Sequence, residues 1–106
     1  MNTIKKPLVW LKQDLESPPF SPAAKLKAGY FLRLLQHGVR LSLPTSRPTP
    51  FLGGRCHELR IDDGEKTWRL VYRSEPDVIL ILVLFEKVSC NTPKSVIDTC
   101  TLRLEM

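Results

Sequence analysis

Residues 56–87 read CHELRIDDGEKTWRLVYRSEPDVILILVLFEK, and the architecture turns on this stretch. Three strand-like runs, Cys56 to Ile61, Thr67 to Ser74 and Val78 to Lys87, are separated by the turn-rich segments DDGEK and EPD, so they read as an antiparallel meander. Alternation assigns faces within each run, because successive strand side chains point to opposite sides. Cys56, Glu58 and Arg60 share one side and His57, Leu59 and Ile61 the other. Arg69, Val71 and Arg73 lie opposite Trp68, Leu70 and Tyr72, and Phe85 lies with Lys87. The run VILILVLF has no polar alternation and reads as a central strand buried on both faces.

Upstream, the prolines of SPPFSP at 17–22 end one element and begin another. Ser21 reads as an N-cap, Pro22 as the first helical residue and Gly38 as the closing glycine, which makes AAKLKAGYFLRLLQH the clearest helix. Leu26, Tyr30 and Leu34, with Ala23, Phe31 and Leu35, are its expected core stripe, and Lys25, Arg33 and Gln36 lie elsewhere around it. A short element around Leu8 to Leu11 precedes it. The stretch from Leu41 to Gly54 is rich in proline and glycine and reads as an irregular basic connection, with Arg40, Arg47 and Arg55 in and around it. Downstream, Asn91-Thr92-Pro93 resembles a cap and first-turn proline, and Val96, Ile97, Cys100 and Leu104 form the apolar side of a last helix. The expected fold is α+β, one domain over 1–106: a twisted antiparallel sheet with N-terminal helices on one face and a C-terminal helix.

Composition narrows the function. With 106 residues and 42% hydrophobic content, one ordinary core is affordable without a staple. No run approaches the roughly 18 to 20 apolar residues that cross a bilayer, and Leu8 to Leu11 is too short for a signal peptide, so a cytoplasmic protein without a membrane role is expected. Cys56, Cys90 and Cys100 lack paired spacing, which points to reduced thiols rather than a disulfide frame. A mixed zinc site with His57 would also lack the usual spacing, so neither metal nor cofactor is expected. Net charge is +5 and uneven: residues 1–60 hold ten Lys/Arg against three Asp/Glu, and 61–106 hold six against eight. Such a field favours a polyanionic partner.

If Leu59, Trp68, Leu70 and Tyr72 face the helices, the other side of the sheet displays Glu58, Arg60, Arg69, Arg73 and Lys87 beside Phe85. Guanidinium groups pair with phosphate oxygens and a ring can stack on an unpaired base, so this surface suits RNA. A metal-free ribonuclease needs a base near a ribose 2′-hydroxyl, cations around the transition state and a proton donor. Glu58 and Lys87 are the candidates for proton exchange; Arg60, Arg69 and Arg73 are the candidates for holding phosphate. The competing reading makes Glu58 with Arg60, or Glu58 with Arg69, an ion pair on a solvated face. His37 sits at a helix end and His57 faces away from the arginines, so neither leads as an acid or base. Trp10, Trp68 and Tyr72 read as core aromatics.

Several segments together resemble the RelE/ParE toxin superfamily, in particular its HigB-like branch of phage-derived host-killing proteins. They are LVWL at 8–11, AGYFLRLLQHG at 28–38, HELRI at 57–61, WRLVYR at 68–73, ILVLFEK at 81–87 and TPKSVIDTCTLR at 92–103. The resemblance implies a type II toxin that cleaves mRNA on the ribosome by 2′-hydroxyl attack. It also implies neutralisation by a helix-turn-helix antitoxin of the HigA type, with any oligomer built through that partner. By motif it places Arg60, Arg69, and Phe85 with Lys87 where related toxins face RNA; joined to the sheet face and the basic loop read above, this makes Arg60, Arg69, Lys87 and Glu58 the expected catalytic residues and Arg73, Phe85, Arg55 and Arg47 the expected RNA contacts. Where the family pattern runs F-x-K-K-T-x-K-T-P, this chain has FEKVSCNTP, with Val88 and Asn91 replacing two lysines. Glu58 also stands where some relatives keep a basic residue. Two alternatives accompany these departures: a ParE-like gyrase-binding inhibitor and a catalytically degenerate antitoxin-binding remnant.

Overall fold

The computed structural model describes residues 5–10, 20–88 and 92–105. Its elements are β1 (Leu8–Trp10), helix α1 (Pro22–Gln36), β2 (Ser46–Pro48), β3 (Cys56–Asp63), β4 (Lys66–Ser74), β5 (Ile79–Glu86) and helix α2 (Lys94–Leu104). The class is α+β, as expected. The five-stranded sheet, in the order β1-β5-β4-β3-β2, is nevertheless mixed rather than wholly antiparallel. β1 runs parallel to β5, with Leu8 opposite Ile79 and Trp10 opposite Ile81. An apolar central strand needs ladder partners on both edges. β5 finds its second partner far back in the chain, with α1 and the meander forming the long connection that a parallel pair requires. β2 lies inside the stretch expected to be irregular: Ser46, Arg47 and Pro48 pair with Leu59, Glu58 and His57. Pro48, which lacks an amide, is tolerated there because β2 is an edge strand.

Helix α1 begins as its residues predict. The Ser21 hydroxyl accepts a hydrogen bond from the Ala24 amide at 3.2 Å, Pro22 follows in the first turn, and Gly38 closes the helix at a φ of 85°. The Asp63 carboxylate, at the β3–β4 turn, accepts from the Ser21 amide at 3.0 Å and from the Trp68 indole at 3.1 Å, tying the helix start to the sheet.

The buried stripe of α1 matches the expected one only in part: Leu35 is buried and Phe31 packs against the core, but the rest of the row shifts. Ala24, Ala28, Leu32 and Leu35 face the sheet, whereas Leu26 and Tyr30 are 75% and 56% exposed and Ala23 is exposed. Two apolar rows repeat at helical spacing here, and the one rich in alanine lets the axis approach a sheet face already filled by Trp68 and Tyr72. Gln36, expected outside, is buried and donates its side-chain amide to the Lys6 carbonyl at 2.8 Å.

The opposite face of the sheet is not open along its length. Helix α2 packs Val96, Cys100 and Leu104 there, against Cys56, Val71, Leu82, Val83 and Phe85. It starts after Pro93, which occupies the N-cap position, while Asn91 and Cys90 lie outside the described residues. A β-bulge underlies this second core. Val71 pairs with Val83 but Tyr72 pairs with Ile81, so Leu82 is an extra residue in β5 and turns toward α2. The Arg103 guanidinium on α2 donates to the Leu82 carbonyl. Among the described residues no helix is long and apolar enough to cross a membrane.

Candidate functional site

Glu58 is the centre of the arrangement. It projects from the middle of β3 onto the α2 side of the sheet and is wholly buried. Its Oε1 lies 3.1 Å from Arg69 Nη1 on β4, 3.5 Å from Arg47 Nη2 on β2 and 3.8 Å from Lys87 Nζ just past β5. Its Oε2 accepts from the Thr92 hydroxyl at 3.2 Å, in the segment leading into α2. Four separate stretches thus converge on one carboxylate. Three follow from register: Arg47 is the direct cross-strand partner of Glu58, Arg69 lies two pairs further along the β3–β4 ladder and so on the same face, and Lys87 reaches this side because of the bulge.

The electrostatics are unbalanced. Three cations surround one negative charge, and the Lys87 side chain is only 9% exposed. Lys87 Nζ and Arg69 Nε are buried without a hydrogen-bond acceptor among the described residues. Burial pushes the Arg69 pKa down from its ordinary value; the Glu58 carboxylate opposes this and the Arg47 and Arg60 charges reinforce it. Buried charge without full compensation is costly, and a second anion at this face would offset it.

The expected site residues therefore divide. Glu58, Arg69, Lys87 and Arg47 come together. Glu58, however, is buried beneath its partners instead of standing on an open platform. It does pair with Arg69, but in a buried setting rather than on a solvated face. Arg60 sits opposite Arg69 at the exposed rim and pairs instead with Asp62 at 2.9 Å. That contact, foremost as a hydrogen bond, holds the Asp62 carboxyl below its usual range.

Arg73 and Arg55 belong to another cluster, both bound to Glu75, Arg73 Nε at 2.5 Å and Arg55 Nη1 at 2.8 Å. Phe85 pairs with Arg69 in the ladder but is half-buried against the α2 cluster, so it is not a free surface for base stacking. His57 points to the α1 side, as expected, with its ring stacked on Tyr72 at 5.6 Å between centroids. Thr92 and Glu75 were not foreseen. Thr92 had shown only a capping signal in NTP, and Glu75 only a turn signal in EPD.

Cys56 and Cys100 are buried free thiols of the α2 cluster. Burial raises both, Cys100 to about 11.

A small α+β protein is thus defined by a five-stranded mixed sheet with a helix on each face and by a buried carboxylate under a surplus of cations on the α2 side. More particularly, the chain belongs to the phage-derived Gp49-like protein family (DUF891), whose model matches residues 18–105. No curated protein and no solved structure matches it significantly.

Proposed function

We propose that the chain is the toxin of a type II toxin–antitoxin system of the RelE/HigB kind, a metal-independent endoribonuclease acting on ribosome-bound mRNA in the cytoplasm. The observation that carries this reading is the cation surplus around Glu58: Arg47, Arg69 and Lys87 outnumber the single carboxylate, and two of their buried nitrogens lack acceptors among the described residues. A phosphodiester supplies the missing charge. The 2′-oxygen of the substrate forms a bond to the adjacent phosphorus as the bond to the 5′-oxygen breaks, leaving a 2′,3′-cyclic phosphate and a 5′-hydroxyl end. Arg69 and Arg47 match the charge on the non-bridging oxygens. The Lys87 ammonium donates a proton to the leaving oxygen, and water takes the 2′-hydroxyl proton.

Glu58 is assigned a positioning role, since both its oxygens are engaged within the protein. Arg60 takes a neighbouring phosphate at the rim. A helix-turn-helix antitoxin of the HigA kind, presenting an acidic segment, masks the same face. Induction of the chain in cells, followed by primer extension on translated transcripts, tests this. Cleavage that disappears with Arg69→Ala supports the reading, and transcripts left intact by the wild type remove it. The remnant alternative keeps one observation in its favour: Val88, where related toxins place a lysine, is a fully apolar side chain 81% exposed beside the site. On that reading the wild type is already harmless and Arg69→Ala changes nothing.

A further inference from the structure

A cavity of about 620 Å³ opens on the other face of the sheet, between the end of α1 and the start of β3. Its walls come from Lys6, from Gly38 to Leu41 behind α1, from Arg55 and His57, and from the β4–β5 turn. Because His57 and Glu58 are adjacent strand residues on opposite faces, this space is separate from the Glu58 cluster. We propose that it is a second anion site, which takes the phosphate of a nucleotide. Lys6, Arg40 and Arg55 line it against one carboxylate, Glu75, which is already shared by Arg55 and Arg73. Among the described residues Lys6 and Arg40 pair with no carboxylate, which leaves two cations for a ligand.

The neighbouring helix end does not oppose an anion strongly. The carbonyls of Arg33, Leu34, Leu35 and Gln36 accept from the amides of His37, Val39, Gly38 and Lys6, so the negative end of α1 is capped internally. The inner wall is built. Tyr72 and His57 line it with their rings stacked, and the Tyr72 hydroxyl is fixed from behind by that of Ser46, which lies 2.7 Å away outside the cavity. The His57 ring stands in that wall, so a ligand seated in the cavity lies against it. The volume exceeds what a lone phosphate fills and falls within the roughly 300 to 1,000 Å³ of small-molecule sites, which calls for a nucleoside-sized body on the phosphate.

Titration calorimetry of the full chain tests this with AMP, adenosine, inorganic phosphate, and a short RNA with and without a 5′-phosphate. AMP should bind more tightly than either adenosine or inorganic phosphate. Arg40→Glu and Lys6→Glu should each weaken AMP about tenfold or more, while Arg69→Ala leaves it unchanged. On the unaltered protein, AMP should shift the His57 ring signals in NMR. RNA that binds only when 5′-phosphorylated assigns the site to RNA ends; AMP binding with no response to that RNA assigns it to free nucleotides. No AMP binding at millimolar concentration overturns the proposal, as does adenosine or phosphate binding as tightly as AMP. AMP binding lost in Arg69→Ala but kept in both charge reversals also overturns it, by placing the ligand at Glu58.

Discussion

Replacing Glu58 by glutamine preserves its size while removing its charge and one of its two acceptor oxygens, so it tests what the carboxylate contributes. The carboxylate oxygen lies 3.1 Å from Arg69, 3.5 Å from Arg47 and 3.8 Å from Lys87. At an effective dielectric near 20, a unit-charge pair at such separations attracts by about 4 kcal/mol. Arg47, with 44% of its side chain in solvent, recovers most of that from water, whereas Arg69 and Lys87 at 15% and 9% do not. Part of their loss is returned because the variant no longer desolvates a carboxylate. The net cost should fall at about 3 to 5 kcal/mol, the range for breaking a buried pair from one side. Urea denaturation should show a lower midpoint at unchanged slope, and Tm should fall by more than about 10 °C. Adding Lys87→Met should restore about 1 to 3 kcal/mol, because one uncompensated cation leaves with its partner. A Glu58→Gln cost below about 1 kcal/mol, or no recovery in the double variant, would refute the buried-hub account and return Glu58 to the solvated surface.

Arg103→Ala should destabilise the fold by about 1 to 3 kcal/mol in urea titration, because it orphans the Leu82 carbonyl that the guanidinium now serves; faster hydrogen exchange confined to β5 and α2 is the matching local readout. Asp63 has its carboxyl held below the usual range, first by hydrogen bonding from the Ser21 side chain and amide, with Trp68 adding to it. The stability linked to that depressed value is present above the unfolded carboxylate pKa of about 3.9 and is lost as pH falls through the lower folded value. Asp63→Asn should therefore flatten the acid limb of a stability–pH curve, and an unchanged acid limb counts against the tether. Cys100, raised to about 11, should resist iodoacetamide at neutral pH until urea unfolds the chain, as read by mass mapping of the labelled residue. Ser21→Ala should cost about 1 kcal/mol through loss of the α1 cap, again by urea titration.

Local chemistry was legible and long-range choice was not. Ser21, Pro22 and Gly38 mark the ends of α1 because capping depends on residues one turn apart. The meander and the interior place of β5, next to β4 at the centre of the sheet, follow from turn residues and an unbroken apolar run. The buried side of α1 could not be read the same way, since the rows Ala24-Ala28-Leu32-Leu35 and Leu26-Tyr30-Leu34 are both apolar and only the crowding of the sheet selects between them. β2 and β1 are three-residue strands whose existence depends on the edges they complete. At the site, alternation grouped Glu58 with Arg69 correctly. Burial of Glu58 escaped it, because the lid is assembled from Arg47, Lys87 and Thr92 in three distant segments.

The bulge at Leu82 is the least legible feature and the one on which the site depends most. With strict alternation, Ile79, Ile81, Val83, Phe85 and Lys87 would share one side of β5. Ile79 and Ile81 face α1, so Lys87 would be drawn to the α1 side with them, away from Glu58. The inserted Leu82 changes the phase: Ile79 and Ile81 keep the α1 face, Leu84 rejoins it, and Val83 and Phe85 turn to α2. Lys87 follows and arrives beside Glu58. The run VILILVLF gives no sign of the insertion because every residue in it is apolar and suits either face. What holds the extra residue is remote in sequence: Leu82 packs with Cys56, Val71 and Cys100, and Arg103 takes its carbonyl. Helix α2 therefore stabilises the strand phase that delivers Lys87, which couples a helix with no proposed contact to RNA to the charge balance of the site.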